Sequence, residues 1–151
     1  GYAQAQEDVM ARMTALKQAG DVHSNLFFQA VAAEYFARYD LDAHIAACTA
    51  LYKEKRDRML SLLEKNLPEG VTFSRPEGGL FVWLQLPEGL DGSALAARCA
   101  QNKVAVVPGA AFMADGTQVS AGVRLNYSTP SHGQIDEGVE ILARCVREIM
   151  G

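Results

Sequence analysis

The stretch Arg75-Pro76-Glu77-Gly78-Gly79-Leu80-Phe81-Val82-Trp83-Leu84-Gln85-Leu86-Pro87 decides the fold. A proline and paired glycines make a turn, bulky apolar residues 80–86 make a strand, and Pro87 lacks the donor that would continue it. Near-continuous hydrophobicity predicts a strand buried on both faces.

Working outward from it, a short strand is expected at 71–73. Downstream come a helix over 93–101 with Leu95 and Cys99 inward, and a strand over 104–107 ended by Pro108-Gly109. A loop carrying Phe112 and the turn Asp115-Gly116 leads to a further strand at 123–127. The last helix opens with Ser131 and Gln134 spaced as a capping box, and its stripe is Ile135, Val139, Leu142, Val146 and Ile149. Asp136 and Glu137 near its start, and Arg144 and Arg147 near its end, suit the helix dipole.

Upstream, Leu26, Phe27, Ala30, Val31, Ala33, Phe36 and Ala37 fall at helical spacing. A break follows at Tyr39-Asp40. A second helix with an N-cap near Asp42 carries the stripe Ile45, Cys48, Tyr52, Met59, Leu62 and Leu63 and stops at Asn66-Leu67-Pro68-Glu69-Gly70. Residues 1–24 fit less well: Tyr2 and Ala3 read as the tail of a strand, and Val9, Met10, Met13 and Leu16 as a short helix. The fold expected is α/β: a small α+β domain with helices around a mixed sheet of roughly three to five strands, preceded by a long helical arm. The expected divisions are 1–24, a helical arm at 25–67, and the domain at 68–151.

The 151 residues are enough for one domain with a core; 49% are hydrophobic and 21% charged, an ordinary globular balance. The net charge of -4, with bases and acids interleaved as in Lys53-Glu54-Lys55-Arg56-Asp57-Arg58, gives no nucleic-acid footprint and reads as a solvated helix face. No apolar run approaches the roughly 20 residues of a membrane span, and the first residues are no signal peptide. The chain starts at Gly1 without an initiator methionine, as a fragment or processed product would. Cys48, Cys99 and Cys145 are odd in number and form no C-x-x-C pair, so buried thiols in a reducing, cytoplasmic setting are expected.

Several chemistries are missing from the pattern. There is no H-E-x-x-H, and His23, His44 and His132 are scattered, so no metal site is expected. There is no G-x-S-x-G elbow, P-loop or G-x-G-x-x-G. The glycosylation triplet Asn126-Tyr127-Ser128 falls in a strand expected to be buried and reads as chance. Arg124, between Val123 and Leu125, stands out. A strand arginine among apolar neighbours must be paired or face an opening, because burying it alone is costly. Its guanidinium can grip a carboxylate through two parallel hydrogen bonds. An internal salt bridge, for example to Glu77, or an edge position facing water would also satisfy it.

Four blocks together resemble the class I/II aminotransferases of fold type I. The run from Arg75 to Leu84 is similar to their P-x-G-G-x-F-x-W segment, and 104–109 with Phe112 to V-x-x-x-P-G-x-x-F. Residues 123–128 resemble R-L-x-[YF]-[AS], and 135–138 the helix that follows. The blocks come in the family's order and spacing. Gly20-Asp21-Val22-His23-Ser24 with Gln29 is similar to the 2-aminoadipate and aromatic aminotransferase branch.

The resemblance implies a transferase moving an amino group between an amino acid and a 2-oxo acid, with pyridoxal 5'-phosphate as electron sink. It implies that Arg124 binds the substrate α-carboxylate. It also implies a homodimer formed through a large domain, to which residues 1–24 would be the tail end. The family's Schiff-base lysine has no counterpart among Lys17, Lys53, Lys55, Lys65 and Lys103, which read as surface or helix residues; it is expected upstream, so no catalytic or cofactor-binding residue is assigned here and the chain alone is expected to be inactive. Nucleic acid and membrane are not expected partners of this segment. Two further readings stay open: an effector-sensing aminotransferase-like domain of a winged-helix transcription regulator, and a small α+β domain that binds a partner.

Overall fold

A computed structural model describes residues 3–115 and 118–151; Tyr2 of the expected strand tail and Gly116 of the expected turn lie outside them. The chain divides into two compact units, Gly1–Ile45 and Ala46–Gly151. The first contains α1 (Glu7–Gly20) and α2 (Leu26–Arg38). Asn25 caps α2, its side chain accepting from Phe28 N, and the helix ends at Tyr39. Neither helix has a buried residue: Leu26, Phe27, Phe28, Val31 and Phe36 all stand exposed.

Helix α3 (Leu41–Asn66) begins one residue before the expected cap. Asp40 rather than Asp42 takes the capping role, accepting from Ala43 N at 2.9 Å. Of its expected stripe, Met59 and Leu63 are buried, Cys48, Tyr52 and Leu62 half-buried, and Ile45 exposed.

The second unit holds β1 (Thr72–Phe73), β2 (Phe81–Gln85), α4 (Gly92–Gln101), β3 (Val107–Pro108), a 3-10 turn (Gly109–Phe112), β4 (Gly122–Asn126) and α5 (His132–Met150). The α/β class and the helices expected before the sheet are as read from the sequence. The sheet order is β1-β2-β4-β3. All three pairings are antiparallel, where a mixed sheet was expected. The expected strand at 104–107 shrinks to Val107–Pro108. It is an edge strand, where a proline's missing donor is tolerated.

The expectation that β2 is buried on both faces is corrected. Val82, Leu84 and Leu86 are buried, but Phe81 is 38% exposed and Trp83 half-buried. The register sets Val82 opposite Leu125 and Leu84 opposite Val123, so these side chains share one face. They join Tyr127, Leu95, Cys99, Met59, Leu63 and the α5 stripe Ile135, Val139, Leu142 and Val146 in a single core. Ile149 packs against its border. Ser131 and Gln134 form the expected capping box of α5. With the helix starting at His132, no acid lies in its first turn; Asp136 instead takes a two-pronged grip from Arg58 of α3, both contacts at 2.6 Å.

The run 53–58 is less solvated than its charges suggest. Lys55 is buried and donates to Ser128 O at 2.8 Å; Arg56 donates to Pro76 O and Glu77 O. Cys99 and Cys145 are buried, and burial, followed by the neighbouring Cys145, pushes the Cys99 thiol up to about 12. No helix among the described residues is long and apolar enough to cross a membrane. Among them, too, no three His, Cys, Asp or Glu residues gather as a metal site would require.

Candidate functional site

The open face of the sheet is the other half of the alternation. Phe81, Trp83 and Gln85 of β2 lie beside Gly122, Arg124 and Asn126 of β4, and Val107 of β3 pairs with Arg124. Arg124 is therefore central, with β2 on one side and β3 on the other, and not at an edge.

Its guanidinium lies against aromatic rings. The guanidinium carbon is 4.0 Å from the Phe81 ring centroid and 4.8 Å from that of Phe112. Phe81 reaches it diagonally across the strand pair, the separation over which large side chains still touch. Trp83 packs edge-on to Phe112 with centroids 5.9 Å apart, and its Nε1 donates to Gln85 Oε1 at 3.3 Å. Gly122 is what lets the indole lie close against β4: a Cβ there would sit 2.1 Å from the Trp83 ring. Gly109, at the start of the 3-10 turn that presents Phe112, is needed in the same way, since a Cβ there would meet Ser120 Oγ at 2.3 Å and Gly122 O at 2.8 Å.

The electrostatics are unusual for an arginine in a central strand. The Nε of Arg124 is buried and has no hydrogen-bond partner among the described residues, and no ion pair there involves its side chain. The salt bridge to Glu77 that the sequence left open is not formed; the Glu77 carbonyl is taken by Arg56 instead. A buried, unmatched donor costs about 1–3 kcal/mol.

The turn that delivers Phe81 is fastened from below. Tyr127 Oη donates to Gly79 O at 2.7 Å, Tyr127 N donates to Leu80 O, and Arg56 holds Pro76 O and Glu77 O. Burial raises the Tyr127 hydroxyl above its ordinary pKa. Asn126 folds back, its Oδ1 accepting from Ser128 N, Ser128 Oγ and Thr129 N, and is a turn-former. Phe81 and Phe112 were legible only as motif letters. Their contact with Arg124 could have been sought from the diagonal spacing across two adjacent strands. Lys55 and Arg56 gave no signal.

A cavity of about 630 Å³ lies away from Arg124, lined by Val104, Val106, Leu125, Ile135 and Val139 with Lys103 and Glu137 at hand. Core residues form its floor.

The family model for aminotransferase class I and II matches residues 1–142. The chain belongs to that family. Aromatic-amino-acid aminotransferase 1 of Thermococcus litoralis is 37% identical over 99% of this chain and 36% of its own length. The crystal structure of a multiple substrate aminotransferase from Thermococcus profundus matches with a TM-score of 0.86 and 39% identity, over 97% of this chain and 36% of that one. The α-aminoadipate aminotransferase of Thermus thermophilus, solved with N-(5'-phosphopyridoxyl)-L-leucine, matches with a TM-score of 0.85 and 32% identity, over 97% of this chain and 37% of that one. The chain thus spans about a third of the length of these aminotransferases.

Proposed function

We propose that the chain is the carboxylate-binding part of a pyridoxal-phosphate aminotransferase, with Arg124 gripping the α-carboxylate of an amino acid or 2-oxo acid. One observation carries this reading: a guanidinium on the open face of the sheet that lies against two aromatic rings and forms no ion pair among the described residues. Guanidinium and carboxylate match in charge and in fork geometry, and the pairing would fix the substrate's orientation.

The residues described do not fit the cofactor itself. Lys55 donates to Ser128 O, Lys17 and Lys53 pair with Asp21 and Asp57, Lys65 lies in the last turn of α3, and Lys103 borders the other cavity. We therefore assign the cofactor-bearing lysine to residues outside these 151, and expect this chain alone not to transaminate. Held by those other residues, pyridoxal phosphate would supply the electron sink. In this reading 1–24 belong to a large cofactor-binding domain, 25–67 connect, and 68–151 form the small domain of a cytoplasmic homodimer. The relatives named above support an aromatic or 2-aminoadipate branch, and as aminotransferases they favour an enzyme over a regulator.

In the full-length protein, Arg124→Ala should raise KM for the amino acid and lower kcat. The loss in kcat/KM should be roughly 30- to 900-fold, the equivalent of about 2–4 kcal/mol for a desolvated charge pair. Unchanged kcat/KM would remove Arg124 from the substrate site. Borohydride reduction of the isolated chain with pyridoxal phosphate should trap no stoichiometric adduct; one adduct per chain would overturn the assignment of the lysine.

A further inference from the structure

We propose that Phe81 and Phe112 are positioning residues that clamp Arg124 so that it captures a carboxylate end-on, through Nη1 and Nη2; this rests on the carboxylate reading above and refines it. Both ring centroids lie within the roughly 6 Å over which a guanidinium is attracted to an aromatic face. The two rings come from different elements, Phe81 from β2 and Phe112 from the end of the 3-10 turn, and converge on one side chain.

Core packing does not account for them. Phe81 is 38% and Phe112 49% exposed, and neither belongs to the buried cluster. Their placement is explained by what they do to the guanidinium. Two rings against it strip water from a group that is weakly hydrated to begin with, and they restrict its rotation. Both effects strengthen a charge-assisted hydrogen bond, because the donor is already dehydrated and oriented when the ligand arrives.

The geometry also selects the donors. Nε is sealed beneath its surroundings, so a ligand cannot reach it in this arrangement. The terminal fork is what remains, and it can present two parallel N–H groups to one carboxylate. Phe112 is braced in turn, since Trp83 packs edge-on against it and lies over Gly122. The brace explains why an exposed ring on a short turn can hold a fixed position beside a charge.

The test is arginine side-chain NMR on the chain itself, comparing wild type with Phe112→Leu and Phe112→Tyr. Two quantities are read: the solvent exchange rate of the Arg124 Nε–H, without ligand, and the affinity for acetate from shifts of the Arg124 resonances. Backbone amide spectra report that each variant is folded. Phe112→Leu should speed Nε–H exchange roughly tenfold and weaken acetate roughly fivefold, whereas Phe112→Tyr, which keeps the ring, should behave as wild type. Normal exchange and affinity in the Leu variant, or equal loss in Leu and Tyr, would overturn the clamp and leave carboxylate binding standing. Acetate that leaves Arg124 unshifted in the wild-type chain would overturn the carboxylate reading and end-on capture with it.

Discussion

The two faces of the sheet are built from alternate residues of the same strands, yet they obey different rules. On the closed face, Val82, Leu84, Val123 and Leu125 are buried and have only dispersion and water exclusion to satisfy. On the open face, Phe81, Trp83 and Arg124 are partly exposed, and Arg124 carries an unmatched donor. The unmatched Nε of that arginine adds nothing to stability. In the carboxylate-binding reading proposed above, stability and ligand recognition are interleaved along one strand at a spacing of two.

The sharpest way to break this comparison is to truncate one residue on each face. Leu84→Ala should cost about 2–5 kcal/mol in urea unfolding, through lost burial and the cavity left behind. Arg124→Ala should change unfolding stability by less than about 1 kcal/mol in either direction, because the lost contacts with the Phe81 and Phe112 rings and the relief of the unmatched Nε oppose one another. Equal losses would mean that the two faces are not divided in this way. The seam between them is Gly122. Gly122→Ala places a Cβ against the Trp83 ring and should cost about 1–3 kcal/mol. The chain has a single tryptophan, so its fluorescence should shift in the same variant; an unmoved spectrum would show that the indole does not depend on the glycine.

The smallest effect concerns the closed face alone. The Cys99 thiol is raised from 9.0 to about 12 by burial, so the folded state holds its proton more tightly than the unfolded one. That contribution is fully present below the unfolded value and is lost as pH climbs from about 9 towards 12. Stability should therefore be flat in this respect at neutral pH and fall across the alkaline window. Cys99→Ala should flatten that fall, and an identical alkaline slope in the variant would exclude the thiol as its source.

Much of the closed face was legible. The α5 stripe has clean helical spacing, and its Ser131–Gln134 cap is local, so both could be read from a few neighbouring residues. Arg124 was legible as a charge that had to be explained. The open face was not, because Phe81 and Trp83 count as apolar and hide the alternation of β2 under an unbroken hydrophobic run. The extent of β3 was missed because three valines read as a strand while pairing admits only Val107 and Pro108. Lys55 looked like one charge in a solvated run, since its partner carbonyl, Ser128, is 73 residues away and nothing local announces it. What periodicity misses here are contacts between residues far apart in the chain.

The strand order has a consequence for how the molecule comes together. β4 inserts between β2 and β3, and its partner β2 is separated from it in the chain by α4, β3 and the 3-10 turn. The central pairing thus closes a long loop, and its entropy must be lost before any contact rewards it. Val123 and Leu125 enter the core in the step that sets Arg124 beside Phe81. The interior and the open-face arginine therefore depend on the same strand register, and a slip in that register would lose both.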